Sequence, residues 1–307
     1  MNYTLHQLHI LVKLIETKSV TKTAEAMYLT QPAVSIQLKK LQEQFSVPLF
    51  EVVSRKVHIT DFGSEIGAAA EKILEQVNAI NYQSEAYKGL LAGRVKISVV
   101  STGKYVIPYF LAPFISRHPQ VDVAVDVTNK YSVVENLEKN TVDFSLVSII
   151  PEHLSLERLD LIPNKLYLVG GKKETAMKTP LEPSGLEKLP LIYREEGSGT
   201  RHTMEEYLTA IGVTQRKKME LTSNEAVKQA IIAGLGYSIM PVIGIKNELQ
   251  NGDLQIIPTK SLPLQTTWSL VWPKGKQHAP SAASFIRFLK ENKEVVAQHS
   301  FGWQEAF

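Results

Sequence analysis

The chain has 307 residues, of which 44% are hydrophobic and 21% charged, and its formal net charge at pH 7 is +3. This length exceeds what one hydrophobic core usually serves, so two or three domains are expected, and the hydrophobic content excludes a largely disordered chain. The absence of cysteine excludes disulfides, thiol redox sensing and cysteine-ligated metal sites. Because the net charge is small, any case for nucleic acid depends on where Lys and Arg lie.

Two short helices are predicted near the start of the chain. Ser19 and Thr21 place hydroxyl acceptors ahead of an alanine-spaced segment, and a second helix start follows at Thr30, with Pro32 in its first turn where a missing N–H is harmless. From that start, apolar residues recur at helical spacing and must face a core. They are Val34, Leu38, Leu41 and Phe45. This phase turns a compact polar and basic face outward.

That outward face suits a helix that enters the major groove of DNA. Gln31 can pair with an adenine edge, Ser35 can bond to either base partner, and Ala33 can touch a thymine methyl group. Basic side chains of the helix and of a hairpin that follows it can neutralise phosphates, and the first helix start can receive one. The predicted DNA contacts are Ser19, Thr21, Thr30, Gln31, Pro32, Ala33, Ser35, Lys39, Arg55 and Lys56. The alternative is an ordinary helix pair with a solvated surface, since a generic helix-turn-helix pattern is loose.

A longer set of motifs favours a DNA-reading domain over an ordinary helix pair. Residues 19–41 read S-x-T-x-x-A-x-x-x-x-L-x-Q-P-A-V-S-x-Q-L-x-x-L, followed by P-L-F at 48–50 and R-K-V-x-I-T-x-x-G at 55–63. Together they resemble the N-terminal winged helix-turn-helix domain of LysR-type transcriptional regulators, which implies double-stranded promoter DNA as a partner. Three positions depart from the family pattern: Gln42 where Glu is common, Ser46 where Gly usually ends the recognition helix, and Val52 where Arg often follows Leu-Phe. The last departure removes one phosphate contact.

After Gly63, apolar residues recur in alternating steps of four and three. They are Ile66, Ala70, Ile73, Val77 and Ile80. This heptad-like spacing predicts one long helix over residues 64–88 that needs a partner helix and is ended by Gly89 and Gly93. The alternative is a helix packed on its own domain. The resemblance implies a homodimer formed through this linker, often a homotetramer, with RNA polymerase as a further partner.

From Arg94 the pattern alternates between strands and helices, which predicts a parallel α/β sheet in two lobes. The resemblance implies an effector domain similar to a periplasmic solute-binding protein, with two lobes around a cleft. The expected fold is therefore α/β overall, with a winged helix-turn-helix at 1–60, a linker helix at 61–91 and an effector domain at 92–307. Lobe I is expected at about 92–162 and 267–307, and lobe II at about 163–266.

Strand ends nominate the ligand site, because ligands in such sheets lie beyond the carboxyl ends of strands. Ser101-Thr102-Gly103 opens a helix whose free N–H groups favour an anion, although a purely capping role is equally consistent. The segment R-E-E-G-S-G-T-R at 194–201 resembles LysR-type regulators of the carbon-fixation and sulfur-metabolism group, and its Arg201 offers a charged fork. The predicted ligand contacts are Ser101, Thr102, Ser148, Gly197, Ser198, Thr200, Arg201 and Asn224. We expect a small anionic metabolite and no other cofactor.

Catalysis is not expected. The sequence contains none of the nucleophile, zinc-ligand or dinucleotide motifs of common enzymes, and its eight His residues are scattered singly. A solute-binding protein with no DNA role is the alternative that the second half alone would suggest. The N-terminal motifs and the lack of a signal-peptide pattern argue against it. A cytoplasmic protein without a membrane span is expected.

Overall fold

The computed structural model describes residues 2–54, 56–87, 91–172, 180–213 and 219–307. The chain folds as two compact units, residues 1–90 and residues 91–307. Arg55 and Gly89, which enter the sequence predictions, lie outside the described residues. No helix within the described ranges is both long enough and apolar enough to cross a membrane.

The first unit is a winged helix-turn-helix followed by a long helix. Its elements are α1 (Leu5–Thr17), α2 (Val20–Ala26), α3 (Gln31–Gln42), β1 (Phe50–Val53), β2 (Lys56–Ile59) and α4 (Asp61–Tyr87). A capping box starts α1: the Thr4 hydroxyl accepts from the Gln7 amide N–H at 3.2 Å, and Gln7 Oε1 accepts from the Thr4 N–H at 2.9 Å. The antiparallel hairpin of β1 and β2, in which Phe50 lies opposite Ile59, is the wing.

Helix α3 is held by its apolar face, as its spacing predicts. Val34 and Leu38 pack with Ile10 and Leu14 of α1 in one buried cluster. The end of α3 is tied to the wing by Gln42, whose Oε1 accepts from the backbone N–H groups of Leu49 and Phe50 at 3.1 and 3.2 Å. This side chain needs only an acceptor oxygen, so Gln performs there the role that a Glu could also perform.

Helix α4 confirms the long linker helix, and the first residues of its predicted seam pack on the helix's own unit. Ile66, Ala70 and Leu74 pack against α1 in the core of the first unit, whereas Ile73 is 40% and Ile80 66% exposed. Because an α-helix turns every 3.6 residues, the buried face continues from Ala70 to Leu74. The heptad spacing, which averages 3.5 residues, continues instead from Ala70 to Ile73. The first half of the helix thus packs on its own domain, and the pairing of its second half with a partner helix, where Ile80 is exposed, stays a prediction.

The second unit is built on one large mixed sheet. The strands of this unit are β3 (Gly93–Val100), β4 (Val121–Thr128), β5 (Phe144–Val147), β6 (Leu156–Gly171), β7 (Ile192–Arg194), β8 (Met219–Leu221), β9 (Ser238–Pro241), β10 (Leu254–Ile256) and β11 (Leu264–Pro273). The sheet runs in the order β10-β6-β11-β5-β3-β4, with β9 also paired to β6, and β7 pairs with β8 separately.

The expectation of a parallel sheet is only partly correct. Strand β3 is parallel to β4 and β5, but β11 is antiparallel to both β5 and β6. The lobe boundaries predicted at 162/163 and 266/267 fall inside β6 and β11, where Trp268 lies opposite Ile162 and Thr266 opposite Asn164. Two long antiparallel strands thus run from one lobe into the other, and the charged residues of 157–160 obscure the first half of β6 in the sequence.

Helices cover the sheet in both lobes. They are α5 (Ile107–Arg117), α6 (Lys130–Glu138), α7 (Pro183–Leu186), α8 (Gly199–Ala210), α9 (Asn224–Ile232), α10 (Lys246–Asn251) and α11 (Pro280–Phe301), with 3-10 turns at Ser101–Tyr105, Val242–Gly244 and Gly302–Ala306. The lobe I core contains Phe110, Phe114, Phe285 and the fully buried Trp268. Helix α11 reaches the same core with its last residue, Phe301, which stacks on Phe110 with ring centroids 6.0 Å apart.

Candidate nucleic-acid interface and interlobe cleft

The outward face of α3 carries the predicted base-reading side chains. Gln31, Pro32 and Lys39 are exposed, and Ala33 and Ser35 are half-buried beside them. The Gln31 Nε2 donates to the Ser35 hydroxyl oxygen at 3.2 Å. These two side chains lie one helical turn apart, so each limits the rotamers of the other before any base is met.

The flanking predicted contacts surround this face in sequence, and their local roles differ. The Ser19 hydroxyl caps α2 by accepting from the Lys22 N–H at 3.4 Å, while Thr21 is exposed. Thr30 precedes α3 without a side-chain capping bond. Lys56 is exposed at the start of β2, and Val52, at the position where Arg is frequent, is 61% exposed in β1.

One exposed residue near α3 escapes the sequence pattern. Tyr28 is 98% exposed and has a φ of 54° in the turn between α2 and α3. In the sequence it stands between Met27 and Leu29, where an aromatic residue suggests burial. Helical or strand spacing does not predict its exposure, because it lies in a turn with a left-handed backbone.

The second unit encloses a cavity between its lobes. It spans about 520 Å³ including its solvent-filled mouth. The hydroxyl groups of its wall come from Ser101, Thr102, Ser148, Ser198 and Thr200, all of which the sequence predicted. The other lining residues are Val100, Asn129, Lys130, Val133, Val134, Val147, Ile149, Pro151, Arg194, Glu195 and Gly199.

Strand geometry explains why these hydroxyls meet. Parallel strands β3 and β5 are neighbours, so their carboxyl ends at Val100 and Val147 deliver Ser101 and Ser148 to one edge of the sheet. In lobe II, β7 ends at Arg194 and α8 begins at Gly199, with Ser198 at the N-cap position but no side-chain capping bond. The N–H groups of the first turn of α8 therefore lack that side-chain cap, which favours an anion.

Arg194 is the guanidinium that reaches the cavity. It is 3% exposed, and its Nη2 donates across the cleft to the Ser101 hydroxyl oxygen at 3.1 Å. Its Nε and Nη2 also donate to the two carboxylate oxygens of Glu195 at 2.7 and 2.8 Å, and its Nη1 donates to Asn224 Oδ1. Arg194 is the last residue of β7, and residues at the carboxyl ends of strands are the ones expected to line the ligand site.

The sequence selected Arg201 instead. That side chain does not line this cavity but lines a second, wider one, together with Gly197 and Ser198. Its Nε donates to Glu205 at 2.6 Å and its Nη1 to Glu220 at 2.9 Å. These carboxylates already satisfy its charge, because Glu205 lies one turn along α8 and Glu220 in the adjacent strand β8. Arg194 is thus the arginine that lines this cavity, and the predicted ligand role of Arg201 stays a prediction.

Two other predicted residues do not line the first cavity. Asn224, 4% exposed, starts α9 after Ser223; its Oδ1 accepts from Arg194, and its Nδ2 has no acceptor among the described residues. Gly197 has a φ of 83°, and a Cβ there would lie 2.3 Å from the Tyr131 ring. Gly197 therefore lets the β7–α8 turn approach α6 from the opposite lobe, which is a backbone role.

Tyr105, at the end of the 3-10 turn behind Ser101 and Thr102, is half-buried with the Lys104 ammonium 5.1 Å from its ring centroid. Burial raises the pKa of its phenol, and the charge of Lys228 opposes that rise. The phenol therefore stays protonated at neutral pH and adds no negative charge beside the cavity. In the cavity wall itself, the charges are those of Lys130, Arg194 and Glu195.

Comparison with known families covers both units. Residues 5–64 match the family of bacterial regulatory helix-turn-helix proteins of the lysR type, and residues 88–294 match the LysR substrate binding domain. The HTH-type transcriptional activator CmpR of Synechocystis is 32% identical over 299 residues, covering 96% of this chain and 98% of the relative. A RuBisCO operon transcriptional regulator of Acidithiobacillus ferrooxidans is 34% identical over 287 residues, covering 93% of each.

Solved structures agree. The regulatory domain of Synechocystis CcmR in complex with 2-PG is 30% identical with a TM-score of 0.63, covering 66% of this chain and 98% of that domain. Full-length CbnR complexed with its target DNA, at 20% identity and a TM-score of 0.73, covers 94% of this chain and 99% of CbnR and supports the fold. The resemblance inferred from residues 19–63 and 194–201 is confirmed. The alternative of a solute-binding protein with no DNA role is not supported, since relatives of matching length are transcriptional regulators.

Proposed function

Because this chain belongs to the LysR family of DNA-binding transcriptional regulators, we propose that it controls a carbon-assimilation operon in response to a small anionic metabolite of the phosphoglycolate type. The regulators named for the RuBisCO operon and the CcmR domain described with 2-PG support this choice of operon and effector. The observation that carries the proposal is the buried Arg194 guanidinium, which reaches from lobe II to Ser101 in lobe I beside a hydroxyl-lined cavity.

The chemistry of the cavity suits such a ligand. A two-carbon phosphorylated acid carries a carboxylate and a phosphate, and both are recognised by guanidinium forks, hydroxyl groups and free backbone N–H groups. Arg194 supplies the fork; Ser101, Thr102, Ser198 and Thr200 supply hydroxyls from both lobes.

Effector binding would act on the arrangement of the lobes. The lobes are joined by β6 and β11, and a ligand that bonds to both walls favours the arrangement in which its contacts are complete. In a homodimer or homotetramer assembled through α4 and the effector domains, this preference changes the spacing or bend that paired recognition helices impose on DNA. The mechanism requires binding alone, so we assign no catalytic step and no further cofactor to the chain. Its place of action is the cytoplasm, where promoter DNA and RNA polymerase reside.

Each DNA-reading domain would place α3 in the major groove. In this proposal Gln31 and Ser35 read base edges, Lys39 and Lys56 contact phosphates, and Ser19, Thr21 and Thr30 hold the backbone at the two helix starts. Paired domains then read two half-sites of one operator.

Titration calorimetry with 2-phosphoglycolate, inorganic phosphate, glycolate and the neutral analogue glycerol tests the effector class. We expect saturable binding of 2-phosphoglycolate, weaker binding of its two fragments and none of glycerol. Footprinting on the promoter of the adjacent operon, with and without 2-phosphoglycolate, tests the response. Binding confined to neutral ligands, or a footprint that no anion alters, would contradict the proposal.

A further inference from the structure

The hydrogen-bond capacity of Arg194 is almost fully used. A guanidinium has five N–H donors, and four are engaged in the structure: two with Glu195, one with Ser101 and one with Asn224. Its charge is also neutralised by the Glu195 carboxylate, which binds it with two parallel hydrogen bonds at 2.7 and 2.8 Å. An anion entering the cavity therefore meets a fork whose strongest binding edge is already occupied.

Glu195 itself lies in the cavity wall. Its side chain is 22% exposed, and it lines the same space as Ser101, Ser198 and Thr200. A carboxylate in this position repels an anionic ligand as long as it stays there. It also presents to Arg194 the planar pair of oxygens that a carboxylate or phosphate group of a ligand would present.

The surroundings allow this carboxylate to leave. Glu195 begins the turn between β7 and α8, and its partly exposed side chain lines the open cavity. Arg194, by contrast, is 3% exposed and anchored by Asn224 from α9. Rotation of the Glu195 side chain is thus the smaller change, and Arg194 stays in place to receive the new partner.

We propose that Glu195 is an internal competitor: its carboxylate occupies the anion-binding edge of Arg194 in the ligand-free protein and is displaced by the anionic group of the effector. This inference rests on the proposed anion site and specifies how that site is regulated. Displacement lowers the apparent affinity, so the protein responds only when the metabolite is abundant. It also selects ligands with two coplanar acceptor oxygens over simple monatomic anions.

The test compares wild-type protein with Glu195→Gln and Glu196→Gln, using 2-phosphoglycolate and inorganic phosphate as probes in calorimetry. Gln at position 195 keeps the size of the side chain but removes its charge, so the competitor is weakened. We expect the dissociation constant of Glu195→Gln for 2-phosphoglycolate to fall at least about tenfold, within the range of typical coupling between sites. Glu196 is exposed and adjacent; removal of its charge should change binding by less than about fivefold, as for surface charges in general.

The outcomes separate the two proposals. If wild type binds the probes but Glu195→Gln binds them equally or more weakly, Glu195 positions Arg194 and this inference is overturned, while the proposed function stands. If neither protein binds any anion, the proposed function fails and this inference with it. A crystal structure of the full chain with 2-phosphoglycolate gives a second readout that does not depend on a variant. Ligand oxygens within hydrogen-bond distance of Arg194 Nε and Nη2, with Glu195 rotated away, support the inference; an intact Arg194–Glu195 pair contradicts it.

Discussion

The Nη2 atom of Arg194 lies 3.1 Å from the hydroxyl oxygen of Ser101, so a hydrogen bond joins the end of β7 in lobe II to the start of the 3-10 turn in lobe I. Ser101 accepts this bond and keeps its own hydroxyl proton free to donate. A ligand acceptor in the cavity would then extend a chain that begins at a buried guanidinium. Ligand binding and lobe arrangement would thus depend on the same two side chains.

This geometry predicts different effects for the two arginines of the motif. Arg194→Lys keeps the charge but loses the planar fork, so we expect affinity for 2-phosphoglycolate to fall by about 1.5–3 kcal/mol, the contribution of a hydrogen bond to a charged group. Arg201→Lys serves as the matched control and should leave affinity nearly unchanged, because Glu205 and Glu220 hold that side chain. Calorimetry measures both variants after circular dichroism has verified their folding. Equal losses would return the ligand role to Arg201.

Gln31 is exposed on α3, where Ser35 holds its side chain by a hydrogen bond. This position predicts a loss of sequence discrimination when Gln31 is replaced. Gln31→Ala should cost about 1–3 kcal/mol at one base pair of the operator while leaving random DNA nearly unaffected. Lys39→Ala should weaken all sequences alike and reduce the salt dependence of binding by about one phosphate contact. Fluorescence titrations on operator and random duplexes at several salt concentrations distinguish the two. A uniform loss for Gln31→Ala would show that it contacts the DNA backbone.

The exposed side chains of Ile73 and Ile80 on α4 predict where the dimer is sensitive to charge. Ile80, 66% exposed, should lie in an apolar interface, so Ile80→Glu places an unpaired charge there and should shift the protein toward monomer. Asn78→Glu is the control, since position 78 is exposed on another side of the same helix. Sedimentation velocity across a concentration series reports the change. An unaltered dimer in Ile80→Glu would show that other surfaces hold the protomers together.

His278 predicts an acid-sensitive stability of the second unit. Its ring stacks on Phe144 at 5.1 Å, and neither ring nitrogen has a partner among the described residues. Burial, with Lys276 nearby, lowers the pKa of His278 below its usual value. The unfolded chain therefore binds the proton more readily, so stability is complete above pH 6.5 and declines as the pH falls through the lowered pKa. His278→Phe should remove this decline.

Thermal unfolding of wild type and His278→Phe at pH 7.5, 6.5, 5.5 and 4.5 measures the decline in stability toward acid pH. We expect the difference in unfolding temperature between the two proteins to change in favour of the variant below pH 6.5. Parallel curves over the whole range would place the acid sensitivity in other groups.

Local rules were sufficient for much of the first unit and for the hydroxyl wall of the cleft. Val34 and Leu38 lie four residues apart and so share the buried face of α3, beside which Gln31 is exposed and Ser35 half-buried. Ser101 and Ser198 each stand where a strand passes into a helix, and that position is visible in the sequence. The partners of α4 were less predictable: Ala70 is followed on the buried face by Leu74, and the heptad spacing pointed to Ile73.

The sequence by itself determined the family, the order of the elements and the chemistry available to the cleft, because short-range spacing decides which residues share a helix face or a strand end. Only the tertiary structure decided which cavity each arginine lines. Arg194 and Arg201 stand in the same motif, but Glu220 from β8 engages one and Ser101 from the opposite lobe engages the other. Glu220 is 19 residues from Arg201 in the chain, and Ser101 is 93 residues from Arg194. The energy of a buried charge depends on such distant partners, so no local pattern can assign it.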